Sequence, residues 1–193
     1  MTIAVIKYNA GNIHSLCTAL TRLGVEGVVT DDEHFIRRAD KVIFPGVGEA
    51  SSAMAYLRNV RLDKLLPSLT QPFLGICLGL QLMCSYSEEN DTQCLGVFEE
   101  MVKKFPPQDK VPHIGWNSLR QLKSPLFEGV KTGDYVYFVH GYYAASGPHT
   151  IAHADYILPF SAALQKDNFY ATQFHPEKSG KVGEQILQNF LNL

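Results

Sequence analysis

The sequence has little that would tie it to a membrane, a nucleic acid or a metal ion. No apolar run is long enough to span a bilayer, and Met1–Lys7 lacks the basic and apolar regions of a signal peptide, reading instead as a first strand. A net charge of −2 removes the electrostatic reason to expect nucleic acid or an acidic membrane as partner. The four cysteines, Cys17, Cys77, Cys84 and Cys94, form no Cys-x-x-Cys and no paired ligand spacing, which fits a reduced cytoplasmic setting. Seven histidines are scattered without a His-x-x-x-His, so no metal is expected. Pro45-Gly46-Val47-Gly48 lacks the full glycine and lysine pattern of a phosphate loop. No internal repeat, low-complexity segment or interdomain linker interrupts the chain.

The 193 residues suffice for one domain with an ample core, taken here as residues 1–193. The first half alternates strand and helix patterns. Ile3–Lys7, Gly27–Thr30, Lys41–Phe44 and Phe73–Ile76 are apolar strand-like runs. Between the first two, Ile13, Leu16, Cys17, Leu20 and Leu23 repeat at helical spacing and Gly24 closes the helix, which places Cys17 in the core. A helix through Met54 and Leu57 follows the third run. Alternation of this kind predicts an α/β fold with a mostly parallel sheet and helices on both faces. The second half is richer in β residues. Extra strands are expected at Val97–Phe98, Met101–Phe105, Asp134–Val139, Ala162–Gln165 and Phe169–Phe174, before a closing helix over Val182–Leu193.

Chemistry concentrates at two segments. Gly75-Ile76-Cys77-Leu78-Gly79 ends one strand and opens a helix, so its thiol stands at the strand's carboxyl end, where such sheets bind ligands. The new helix aims its free N–H groups at that thiol, which favours thiolate. Gln173-Phe174-His175-Pro176-Glu177 supplies an imidazole and a carboxylate. The proline pushes His175 towards extended backbone, where side chains two apart share a face, so Glu177 can orient the ring. A lone buried cysteine is usually a small hydrophobe and a lone His-Pro-Glu usually a turn; together they make a nucleophile, a base and an orienter. Cys84 reads as packing near the end of the next helix.

Other constellations are weaker alone. Pro45–Gly48 follows a strand and precedes a helix, so one of its N–H groups could join that of Leu78 in holding an oxyanion. Gln81 lies one helical turn beyond Cys77 and can face the same cleft. Pro112-His113-Ile114-Gly115-Trp116-Asn117 holds the single tryptophan, and Tyr135–Tyr143 carries four tyrosines in nine residues. Tyr8-Asn9-Ala10-Gly11-Asn12 reads as a turn with a helix cap.

These motifs together resemble the class I (triad) glutamine amidotransferases, a flavodoxin-like fold. Pro45–Gly48, Pro112–Asn117, Tyr137–His140 and Pro176-Glu177-Lys178-Ser179 narrow the resemblance to glutaminase subunits of imidazole glycerol phosphate synthase, along the whole chain. The resemblance implies glutamine as substrate, no cofactor and, as partner in histidine biosynthesis, a (β/α)₈-barrel cyclase subunit. It implies Cys77, His175 and Glu177 as the triad, with Val47 and Leu78 at the oxyanion. It implies Gly48, Leu78, Gln81, Glu89, Gly141 and Tyr142 around the glutamine, Glu89 meeting its amino group. Asn12, Trp116, Tyr137 and Lys178 match positions that face the barrel. Two positions depart from the pattern: Asn9 replaces a glycine, and Gly141 a serine or threonine. A glutaminase feeding another barrel synthase and a non-catalytic flavodoxin-like module stay open as alternatives.

Overall fold

The computed structural model describes residues 1–8 and 13–193. The expected turn around Asn9 and the expected partner-facing Asn12 lie outside the described residues. Strands β1 (Ile3–Ile6), β2 (Gly27–Thr30), β3 (Lys41–Phe44) and β4 (Phe73–Ile76) alternate with helices α1 (Ile13–Arg22), α2 (Glu33–Arg38), α3 (Ala50–Asn59) and α4 (Leu62–Leu65). Helix α5 (Leu78–Met83) follows Cys77 directly. Then come β5 (Tyr86–Ser87), β6 (Thr92–Gln93), β7 (Met101–Lys104), β8 (His113–Ser118), β9 (Tyr135–His140) and β10 (Tyr142–Ala144). Strands β11 (Thr150–Tyr156), β12 (Leu158–Lys166) and β13 (Phe169–Thr172) precede the closing helix α6 (Gly180–Asn192).

The central sheet has seven strands in the order β11-β12-β13-β4-β3-β1-β2. From β2 to β13 neighbours run parallel; β12 and β11 are added antiparallel. The central strands are almost wholly apolar, Lys41 and Thr172 lying at their ends, because both faces are covered. Ala4, Ile6, Val42 and Phe44 pack towards α3, α4 and α5, while Ile3, Val5, Ile43 and Leu74 pack towards α1 and α6. The last parallel strand, β13, lies beside β4. This pairing brings Cys77, one residue past β4, next to the segment that carries His175. A four-stranded sheet (β10-β7-β5-β6) and a β8–β9 ribbon complete the fold.

Two expectations fail. Val97 and Phe98 are buried, but they form a bend, not a strand. They dock on the end of α5, where Phe98 N–H donates to the Met83 carbonyl. Cys17 is only half-buried, at the margin of the α1 stripe formed by Leu16, Ala19 and Leu20. Helix α6 also starts earlier than expected, at Gly180.

Candidate active site

Cys77 has φ 53° and ψ −104°, a conformation that L-residues rarely adopt. Close packing imposes it. A Cβ on Gly79 would lie 2.1 Å from the Phe44 carbonyl oxygen, and one on Gly46 would lie 2.5 Å from Gly79 N. Helix α5 therefore presses backbone to backbone against the end of β3, and the chain between β4 and α5 must turn within one residue. Cys77 N–H is tied to the Thr172 carbonyl at 2.7 Å, and the Cys77 carbonyl accepts from Gln81 N–H at 3.2 Å. Strain at Cys77 is thus held from both sides.

His175 is buried (2 % exposed), with its backbone N–H donating to the Tyr137 carbonyl at 2.9 Å. Nδ1 lies 2.8 Å from Glu177 Oε1. A carboxylate can only accept, so Nδ1 carries the proton and Nε2 is left for chemistry. Nε2 has no hydrogen-bond partner among the described residues. Burial works to lower the ring's pKa. The charge of Cys77 and the bond to Glu177 outweigh it and raise the ring from 6.5 to about 10. The arrangement favours the protonated ring beside the sulfur. Burial pushes the Cys84 thiol well up and the Cys94 thiol to about 12.

A cavity of about 290 Å³ opens at Cys77. Val47 and Gly48 line it from the loop after β3, Leu78 and Gln81 from α5, and Gly141 and Tyr142 from the β9–β10 connection. Glu89 closes one side, accepting from Ala50 N–H at 2.8 Å. Burial and the neighbouring Glu49 raise the Glu89 carboxyl, against the Ala50 bond. All six residues expected around the substrate thus share one space. Pro112, Val139 and His140 line it too. Gln81 is less free than expected, because its Nε2 donates to the Tyr142 carbonyl at 2.9 Å and to Gln173 Oε1 at 3.1 Å.

Trp116, Tyr137 and Lys178 lie elsewhere. In the β8–β9 register Ile114 faces Val139 and Trp116 faces Tyr137. Alternation puts Ile114, Trp116, Tyr135 and Tyr137 on one side of the ribbon and His113, Val136, Phe138 and His140 on the other. The outer side is exposed at Ile114 (57 %), Trp116 (55 %) and Tyr135 (58 %), an apolar concentration that scattered surface residues do not make. Trp116 meets Tyr137 edge-on, with centroids 6.0 Å apart. Lys178 ends the short 3₁₀ turn Pro176–Lys178, half-buried, and Trp116 reaches the adjacent Gly180. Gln173 and Tyr8 escaped notice as site residues. Gln173 was masked by its apolar neighbours, its only signal being its place two residues before His175. For Tyr8, nothing local pointed to the distant loop it touches.

The chain belongs to the class-I glutamine amidotransferase family, whose sequence model matches residues 4–193. Two solved structures share the fold: one described as a glutamine amidotransferase (TM-score 0.78, 20% identity, 100% of this chain and 98% of that one) and one described as a putative GMP synthase component from Thermoplasma acidophilum (TM-score 0.75, 21% identity, 100% and 92%). Within the family, the chain is similar to proteins named imidazole glycerol phosphate synthase subunit HisH. That of Bacteroides fragilis (strain YCH46) is 58% identical, covering 100% of both chains. That of Pasteurella multocida (strain Pm70) is 45% identical, covering 98% of this chain and 96% of its own. Among the described residues, no helix is long and apolar enough to cross a membrane.

Proposed function

We propose that this chain is the glutaminase subunit of an imidazole glycerol phosphate synthase in histidine biosynthesis, working in the cytoplasm. The observation that carries the reading is a thiol on a strained turn at the mouth of an amino-acid-sized cavity, with an imidazole oriented by a carboxylate behind it. Cys77 thiolate attacks the side-chain amide carbon of glutamine. The developing oxyanion accepts from the N–H groups of Val47 and Leu78. His175 gives its Nε2 proton to the departing ammonia, leaving a thioester on Cys77. His175 then takes a proton from water, which attacks the thioester and releases glutamate. Gln81, Gly48, Gly141 and Tyr142 shape the site, and Glu89 pairs with the α-ammonium group.

Ammonia passes to a (β/α)₈-barrel cyclase subunit docked on the outer face of the β8–β9 ribbon, where Trp116, Tyr137 and Lys178 meet it. The same ribbon reaches the triad by a short route. Tyr137 N–H donates to Ser179 Oγ at 2.9 Å, and Ser179 Oγ donates to the His175 carbonyl at 2.7 Å. Docking therefore acts on backbone that holds the catalytic imidazole. The test is Cys77→Ala, assembled with the barrel subunit. Glutamine-dependent synthesis should vanish while synthesis from added ammonium persists. Loss of both activities in a properly assembled complex would refute this division of labour.

A further inference from the structure

Gln173 is fully buried at the end of β13, and its amide touches the sulfur. Its Nε2 lies 3.6 Å from Cys77 Sγ, and its Oε1 accepts from Gln81 Nε2. An amide can be turned end for end, so what matters is which end faces the sulfur. The chain of hydrogen bonds decides. The Tyr142 carbonyl can only accept, and it takes Gln81 Nε2 at 2.9 Å and His140 Nδ1 at 2.7 Å. With one Gln81 hydrogen given to that carbonyl, the other goes to Gln173 Oε1. Gln173 must then present its N–H₂ to Cys77. On the other side of the network, His140 Nε2 is an acceptor for His113 Nδ1 at 3.2 Å, so His140 stays neutral and keeps Nδ1 a donor.

We propose that Gln173 is a positioning residue for the nucleophile: its side-chain N–H donates to the Cys77 sulfur, in a direction imposed by the Tyr142 carbonyl through Gln81. The protonated thiol has a different partner, the Val139 carbonyl at 3.8 Å. Loss of the proton breaks that contact, and the sulfur then accepts from Gln173 and has the protonated ring of His175 beside it, both of which favour the charged form. Gln81 thereby acts on the sulfur without touching it. This inference rests on the reading of Cys77 as nucleophile, yet it concerns the ionisation of the sulfur and is measurable without glutamine.

The test is the pH dependence of Cys77 alkylation by iodoacetamide in the full-length chain, followed by mass spectrometry of the Cys77 peptide so that half-buried Cys17 does not interfere. His175 and Tyr8 are the titratable groups that act on the sulfur, and both are kept in every variant. Gln173→Glu still accepts from Gln81 but sets a carboxylate against the sulfur, so the alkylation midpoint should rise by about one pH unit or more. Gln81→Met, which leaves the Gln173 amide free to turn, should raise it by a smaller amount. An unchanged midpoint in folded Gln173→Glu would overturn the proposal. Should that variant not fold, an unchanged midpoint in Gln81→Met would do the same. Failure of Cys77→Ala to abolish glutaminase activity would sink the nucleophile reading instead, whatever the alkylation profile.

Discussion

The Tyr8 hydroxyl donates to the Pro45 carbonyl at 2.8 Å and lies 3.5 Å from the Val47 carbonyl. These two carbonyls flank the Gly46–Val47 peptide, whose N–H belongs to Val47. One buried phenol therefore holds the peptide planes on either side of a group assigned to the oxyanion. Burial, with the charge of Cys77, pushes that phenol up and keeps it a donor at every working pH.

Tyr8→Phe removes the hold and keeps the ring, which packs edge-on against Phe44. One hydrogen bond of this kind is worth about 1 kcal/mol net. Glutaminase turnover should fall about 2- to 10-fold, because the Val47 N–H is no longer held in place for the oxyanion. Steady-state rates with and without the partner decide it. Unchanged turnover would show that Tyr8 does not hold the loop for the oxyanion.

The triad members should be unequal. Glu177→Gln can still accept from His175 Nδ1 but stabilises the imidazolium less. His175→Ala removes the proton carrier itself. We expect a kcat loss of about 10- to 100-fold for the first and about 1,000-fold or more for the second, measured with the partner present. Equal losses would mean that Glu177 does more than orient the ring.

Gly79→Ala should destabilise the fold and slow the enzyme together. Its Cβ meets the Phe44 carbonyl oxygen, which is backbone, so β3 and α5 must part. Overpacking of this kind costs about 1–3 kcal/mol. The same displacement moves Leu78 N–H away from the loop after β3. Gly141→Ala is the control for stability, because its Cβ would meet Val111 Cγ1 at 3.8 Å, an ordinary contact. Denaturant midpoints for both variants give the comparison, and equal midpoints would contradict the packing argument.

The residues legible in sequence are those whose role is local. Strand–Cys77–helix could be read because an apolar run, a small-residue turn and a helical stripe are each encoded within a few positions. The β3 and β4 limits were found for the same reason. What escaped depends on partners distant in the chain. Strand β11 contains Ala152, His153, Ala154 and Asp155, poor strand formers that are held there by pairing with β12. Strand β8 hides behind Pro112 and Gly115 and owes its geometry to β9. Val97–Phe98 shows the converse: two buried apolar residues mimic a strand when burial comes from capping a helix. Cys17 sits one helical position outside the buried stripe, a margin that periodicity does not resolve. Gln173 and Tyr8 gain their importance only once β13 lies beside β4 and the loop after β3 folds over the first strand.

His113 and His140 make stability fall in acid. His113 is stacked between Phe138 (centroids 5.0 Å apart) and Tyr156 (4.0 Å), and both histidines are buried. Burial lowers His113 to about 4; burial, outweighing the bond to Tyr142, lowers His140 to about 3. In the unfolded chain both titrate near 6.5. Between those values the unfolded state binds protons that the folded state refuses, so stability drops as pH falls below 6.5 and goes on dropping to about 3. Each ring contributes at most about 1.4 kcal/mol per pH unit. His175 acts in the opposite window. Raised to about 10, its contribution is complete below 6.5 and is lost progressively as pH rises from 6.5 to about 10, so it leaves the slope below 6.5 untouched. Urea denaturation at pH 6, 5 and 4 should show the decline in wild type. His113→Phe, whose ring can occupy the same slot between Phe138 and Tyr156, should show a shallower one. Parallel slopes in the two proteins would mean that the buried pair is not the source.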